Sequence, residues 1–249
     1  MVVCKRLSLL VRVALLTLGT SSKEFTEKAK NATALLYSQD ASGSMRMHCT
    51  ATAFEKTKTG YQFVSAAHCI GSDDTQKERV AEYRRIPFYI TFDETDLKTF
   101  YAAKVVAVGY QHRGDDFAIF ELSTDEQWPT IPIGDERKEE EGNAVLNIAS
   151  PLGLGRQVFH GNISKLELDR PIVQGDINWK GSVLLQMPGT DGGSSGSAII
   201  SEEQEAIVAF LVGTIGGSTI TAIPASRFTE FRQRISEGKY KWVVKDEDQ

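Results

Sequence analysis

The sequence predicts an all-β protein organised as two consecutive β units, and three observations predict it. From about residue 34 the chain is a succession of short apolar, β-branched or aromatic runs, broken by Gly, Asp, Asn and Pro. About a dozen such runs occur, too many for one small sheet, so the strands must close on themselves or stack. Helical periodicity is confined to the two ends. A chain of 249 residues with 41% hydrophobic and 24% charged content is long enough to bury a substantial core around such strands.

The elements follow in order. Residues 1–22, MVVCKRLSLLVRVALLTLGTSS, carry a basic pair, Lys5 and Arg6, then an apolar run interrupted by Arg12, then small polar residues. That layout predicts a secretory signal peptide or N-terminal anchor, and so a secreted or otherwise extracytoplasmic protein whose main domain spans 23–249. SKEFTEKAKNA then predicts a short helix. The first unit contains the runs ALLYS, GYQFVSAA, IPFYITF, FYAAKVVAVGY and DFAIFEL. GDERKEEEGN, polar and without apolar periodicity, reads as a surface connection. The second unit contains NAVLNIA, RQVFHGNISKLEL, SVLLQM, SAIIS, AIVAFLVGTIG and STITAIP. Finally, PASRFTEFRQRISEG spaces Phe228, Phe231 and Ile235 by three and four, predicting an amphipathic helix with Ser226 as N-cap and Gly238 beyond its end.

Composition narrows the function classes. A net charge of −5 without a basic stripe argues against nucleic acid as the partner. No stretch approaches the roughly 20 uncharged apolar residues of a membrane-spanning helix. No His, Cys and carboxylate cluster has metal-site spacing, so neither metal nor other cofactor is expected. Cys4 lies in the leader, leaving Cys49 and Cys69 as an even pair. In an oxidising compartment they would bridge a loop of about 20 residues, worth about 3 kcal/mol; in a reducing one they would be two small buried apolar residues. Asn31 and Asn162 begin glycosylation-type triplets, a pattern that arises often by chance.

The stretch GTDGGSSGSAII holds three serines among glycines. A serine hydroxyl becomes a nucleophile at neutral pH only beside a base, itself oriented by a third group, with donors aimed at the oxyanion. The base candidate is His68, at the end of the apolar run FVSAAHCI; His48, His112 and His160 are the alternatives. The orienting acid is Asp116, at the mouth of DFAIFEL, with Asp115 expected to face the turn and be solvated. Gly193 allows a turn that points its own N–H and that of Ser195 into one pocket. Ser194 lies within that loop, facing away, and Ser197 begins a strand and faces the packing. Ser195 is the serine flanked by glycine on its exit side.

SAAHC, DDFAIFEL and GGSSGSAI, in the order His, Asp, Ser, resemble the signature segments of chymotrypsin-fold, trypsin-like serine peptidases. GNAVLNIASPLGLGRQVFHGNIS, LLQMPGTDGGSSGSAI and TAIPASRF are most similar to the HtrA/Deg-type and related bacterial or viral branch. The resemblance covers roughly residues 34–236. It implies two six-stranded antiparallel β-barrels, one over about 34–132 and one over about 142–225, followed by a helix over about 226–236. It also implies a serine endopeptidase acting on proteins or peptides through an acyl-enzyme. Ser195 would be the nucleophile, His68 the general base and Asp116 its orienter, with Gly193 and Ser195 N–H groups as the oxyanion hole. Cys49 and Cys69 resemble the pair that staples the histidine loop in many members.

The departures carry information. Ser194 replaces the Asp that pairs with a freed N-terminus in digestive-type members, so that style of activation is not expected. GSSGS is nearer the staphylococcal glutamyl-endopeptidase pattern, and Thr190 fits that enzyme's pocket threonine. Phe210 stands where that enzyme has a pocket histidine, and Gly189 offers no charge, so a hydrophobic specificity pocket is expected. With about a dozen residues after its final helix, the chain is not expected to carry the PDZ domain usual in HtrA-type proteins. The alternative is a chymotrypsin-fold protein that binds without cleaving, its oxyanion loop collapsed.

Overall fold

The computed structural model describes residues 22–40, 42–70, 87–94, 98–111, 114–168, 181–188 and 190–239, and the backbone of 173–174 and 177–178. Residues 1–21 of the expected leader and Gly189 lie outside the described residues. Residues 22–32 form helix α1, as expected. Six strands follow: β1 (Thr33–Gln39), β2 (Met45–Lys56), β3 (Gly60–Ser65), β4 (Phe88–Thr91), β5 (Tyr101–Val108) and β6 (Ala118–Ser123). They pair antiparallel in the closed order β1-β2-β3-β6-β5-β4.

The second half repeats the design with β7 (Ala144–Ala149), β8 (Gln157–Lys165), β11 (Val183–Gln186), β12 (Ala198–Ser201), β13 (Ala206–Thr214) and β14 (Thr219–Pro224). These close antiparallel as β11-β14-β13-β12-β7-β8. Between β8 and β11, the two-residue strands β9 (Val173–Gln174) and β10 (Ile177–Asn178) pair only with each other. Helix α2 (Ala225–Ser236) ends the fold. Closure removes the unpaired edges that a dozen open strands would expose. The twin barrels and terminal helix expected from the sequence are therefore both present. The expected strands omit the short β9 and β10 and also β2, the longest among the described residues, where Met, Arg, His and Thr at its start obscure an apolar pattern.

Three apolar clusters hold the molecule. One fills barrel one around Leu36, Phe63, Ile90 and Phe120. A second fills barrel two around Val145, Leu185, Ile199 and Leu211. The third joins the barrels to both helices through Phe25, Phe54, Phe117, Phe210, Phe228 and Phe231. Phe117 meets Phe210 and Phe228 edge-on, with ring centroids 5.5 and 5.2 Å away. Each ring so buried contributes about 1.5–3 kcal/mol, and edge contacts add a little more. Residue 116 is thereby fixed next to a rigid seam between the barrels.

The charged connection runs over the surface between the two barrels, as expected, but Glu136 and Glu139 are buried within it. Glu139 accepts hydrogen bonds from Asn143 and Gln204. One expectation is corrected here. Ser226 is not the N-cap of α2; Pro224 holds that position without a side-chain cap, and Glu136 Oε2 accepts the Ser226 N–H at 2.9 Å. A carboxylate from the inter-barrel segment thus meets the orphan amides and positive end of the helix.

Candidate active site

His68 sits in a single 3-10 turn, Ala67–Cys69, which ends the run of strand β3. Both oxygens of Asp116 hold it: Oδ1 accepts the His68 backbone N–H at 2.8 Å and Oδ2 lies 2.6 Å from Nδ1. An ionised carboxylate only accepts, so Nδ1 carries the proton and Nε2 is left as the basic atom. The Asp116 side chain is 1% exposed and that of His68 23%, so the pair is dry on one side and open on the other. Burial pushes the imidazole pKa down, but the charge of Asp116 and its hydrogen bond outweigh it and raise the value above the ordinary one.

The serine loop is defined by where its carbonyls go. Asp191 O accepts from Ser194 N–H, and Ser194 O from Ser197 N–H, at 2.9 and 3.1 Å. Gly192 O accepts from Leu152 N–H at 2.6 Å, and Ser195 O from Thr50 N–H at 3.1 Å. Gly193 O accepts from the Thr50 hydroxyl at 2.9 Å. Across a trans peptide the N–H points opposite to the preceding C=O. The amides of Gly193 and Ser195 therefore face away from these tethers, and among the described residues neither has a hydrogen-bond acceptor. Two N–H groups without an acceptor, one residue apart in the serine loop, are the kind of donors an oxyanion needs. Gly193 adopts φ +98°, and a Cβ there would lie 2.5 Å from Ser150 O, so both conformation and space require glycine.

The same loop is pressed against the histidine's strand. A Cβ on Gly196 (φ +78°) would lie 2.3 Å from Ser65 Oγ and 2.4 Å from Ala66 N. The Cys49–Cys69 disulfide, with Cα atoms 6.0 Å apart, links the residue before Thr50 to the residue after His68. The structure thus holds His68 on Asp116 and places the loop of Gly193 and Ser195 against the segment that leads into His68. Among the described residues no hydrogen bond joins Ser195 Oγ to His68; such contacts are often long before substrate binds. Ser194 is fully buried, with its Oγ accepting from Asp191 N–H, and Ser197 packs inward with its Oγ accepting from Asn147. Cys49, His68 and Cys69 are the one grouping with metal-ligand chemistry among the described residues, and both sulfurs are bonded to each other.

Two site expectations fail. Phe210 does not line a pocket: it is 1% exposed and packs on Phe117 and Phe228 in the inter-barrel cluster. Its neighbour Leu211 faces the other side of β13, inside barrel two, and its backbone bonds Gly196 and Ser197. Asp115 is not solvated but 3% exposed, in an ion pair with Arg234 of α2. Thr190 lies half-buried in the serine loop.

Thr50 and Leu152 were not foreseen. Thr50 reads as an ordinary strand residue. Leu152 belongs to SPLGLGR, where its φ of +55° is unusual for a non-glycine residue. Arg156 anchors that loop by donating to Glu94 and to the carbonyls of Lys30, Thr33 and Phe92.

Comparison with known proteins agrees with this architecture. The trypsin-like peptidase domain profile matches residues 49–209. The mitochondrial serine protease HTRA2 of Bos taurus is 28% identical over 184 residues, which is 74% of this chain and 37% of that relative. The HtrA-type protease AlgW with a tripeptide superposes with a TM-score of 0.66 at 17% identity, over 87% of this chain and 64% of that one. AlgW with a decapeptide gives 0.67 at 15%, over 88% and 68%. The chain belongs to the trypsin-like peptidase domain family.

Proposed function

We propose that the protein is a serine endopeptidase that cleaves peptide bonds through a Ser195 acyl-enzyme. The observation that carries this reading is the pair of unclaimed amides at Gly193 and Ser195, in the loop that abuts the strand bearing a carboxylate-held His68. His68 Nε2 takes the Ser195 proton as Oγ attacks the carbonyl, and the negative charge forming on that oxygen meets the two N–H groups. Asp116 keeps the Nδ1–H tautomer and stabilises the imidazolium, which then protonates the leaving amine. Water repeats the attack on the acyl-enzyme.

Peptides are the substrate class this reading favours, in line with the peptide-bound AlgW relatives. The residue accepted beside the cleaved bond is apolar. Support comes from Thr190, half-buried in the serine loop and uncharged. The protein works in an oxidising, extracytoplasmic compartment, a reading supported by the Cys49–Cys69 bridge. Non-reducing peptide mapping of protein from its native source checks this; two free thiols there would overturn it.

The direct test is a fluorophosphonate probe with mapping of the labelled residue, comparing the wild type with Ser195→Ala, Ser194→Ala and His68→Ala. Label on Ser195 that requires His68 but not Ser194 is expected. A folded wild-type protein that takes no label would make this a binding protein on a peptidase scaffold.

A further inference from the structure

Thr50 touches the serine loop at two places and is fully buried. Its backbone N–H donates to Ser195 O at 3.1 Å and its hydroxyl donates to Gly193 O at 2.9 Å. The roles at the hydroxyl are fixed by its two partners: an amide only donates, so Oγ1 accepts the Ser150 N–H at 3.0 Å. A carbonyl only accepts, so the one hydroxyl hydrogen goes to Gly193 O. Thr50 O is itself held by the Ser65 hydroxyl at 2.8 Å, and Cys49 before it is bonded to Cys69 beside His68.

We propose that Thr50 is a positioning residue for the oxyanion site, its side chain fixing the Gly193 carbonyl so that the neighbouring Gly193 N–H stays aimed at the reacting oxygen. This rests on the peptidase reading above. Glycine at 193 has little conformational preference of its own, and without a tether the peptides on either side of it can rotate. Leu152 N–H sets the plane before Gly193 and Thr50 Oγ1 sets the plane after it. Thr50 never touches substrate. It acts on the transition state through donor alignment, an effect that lowers kcat and leaves ground-state binding alone.

The experiment compares wild type, Thr50→Val, Thr50→Ala, Thr50→Ser and Ser195→Ala. Readouts are fluorophosphonate labelling, steady-state hydrolysis of 4-nitrophenyl acetate and thermal unfolding. Thr50→Val keeps the shape and loses the hydroxyl; kcat is expected to fall about 10- to 100-fold with KM within about twofold, less than the 10²–10³ for removing an oxyanion donor outright. Thr50→Ser, which keeps the hydroxyl, is expected to restore kcat to within about threefold of wild type. Equal kcat in wild type and Thr50→Val overturns the proposal, as does a loss that Thr50→Ser shares or that lies in KM. If neither Val nor Ala variant folds, Thr50 is a packing residue and the proposal also fails. No labelling of wild type at Ser195 sinks the peptidase reading instead, which separates the two failures.

Discussion

Arg234 Nη2 on helix α2 lies 2.9 Å from Asp115 Oδ1, so the terminal helix is tied to the residue immediately before Asp116. Asp115 is 3% exposed, whereas the Arg234 side chain is 40% exposed, which tempers the strength of the pair. Removing the guanidinium leaves a buried carboxylate with a partner lost. Arg234→Met is expected to destabilise the fold by roughly 1–3 kcal/mol, seen as a lowered midpoint in urea unfolding. Because Asp116 is fixed separately by both amide and imidazole of His68, kcat at a temperature where the variant is folded should change little. A large kcat loss in folded Arg234→Met would show that Asp115 also positions its neighbour.

Asp116→Asn tests the tautomer argument. Asn can turn its NH2 toward Nδ1, favouring the form with the proton on Nε2, which cannot accept from Ser195. Folding should survive, because the substitution is nearly isosteric. Activity should fall by about four orders of magnitude, the size of effect associated with this change in a serine triad. An active Asp116→Asn variant would remove Asp116 from the mechanism.

The pH dependence follows from His68. Its pKa is raised above the ordinary value of 6.5, with burial opposing and the charge and hydrogen bond of Asp116 prevailing. The base form is required, so kcat/KM should rise with pH through that raised value, placing the acid limb above about 6.5. Stability runs the other way. The protonated pair is favoured in the fold, so its contribution is full below the unfolded pKa and is lost as pH rises through the folded one. An acid limb centred below 6.5 would show that burial wins over Asp116.

How much of this was legible depended on local pattern. His68, Asp116 and Ser195 each stand at a composition break, where an apolar run meets a polar loop or a glycine pair; the structure holds His68 on Asp116 and packs the loop of Ser195 against the end of β3. Phe210 shows where that legibility ends. The strand AIVAFLVGT is apolar on both faces, so period-two alternation has no phase from which to tell Phe210 from Leu211. The structure resolves it by an aromatic seam that no local pattern encodes, since Phe117 and Phe228 come from distant segments. Asp115 was misplaced for a similar reason: its partner lies 119 residues away on α2. Thr50 was silent because its role depends on a loop 143 residues on.

Gly196 offers a steric test of how the barrels meet at the site. A methyl group there would overlap Ser65 Oγ and the Ala66 amide, at a φ of +78° that side chains disfavour. Gly196→Ala must push the serine loop off the histidine's strand. Expected results are a loss of roughly 1–3 kcal/mol in stability and at least about a 100-fold lower rate of fluorophosphonate labelling, because misplacement by about 1 Å costs that much. Wild-type labelling by a stable Gly196→Ala variant would mean that the two segments are not in register as described.

Arg156 ties the segment that braces the serine loop to the rest of the molecule. Its side chain is 11% exposed and serves the Glu94 carboxylate and three backbone carbonyls from α1, its junction with β1, and the segment after β4. It thereby holds SPLGLGR, whose Leu152 N–H restrains the Gly192 carbonyl. Arg156→Lys keeps the charge but lacks the planar fork needed to reach these acceptors together. Its expected effect has two parts: a stability loss of about 1–3 kcal/mol from carbonyls left unpaired, and a lower kcat from a loosened Gly192–Gly193 peptide. The parts are separable, since cooling or added osmolyte restores folding without restoring the tether. If cooled, fully folded Arg156→Lys reaches wild-type kcat, the Leu152–Gly192 bond holds the loop unaided, and Arg156 serves stability alone.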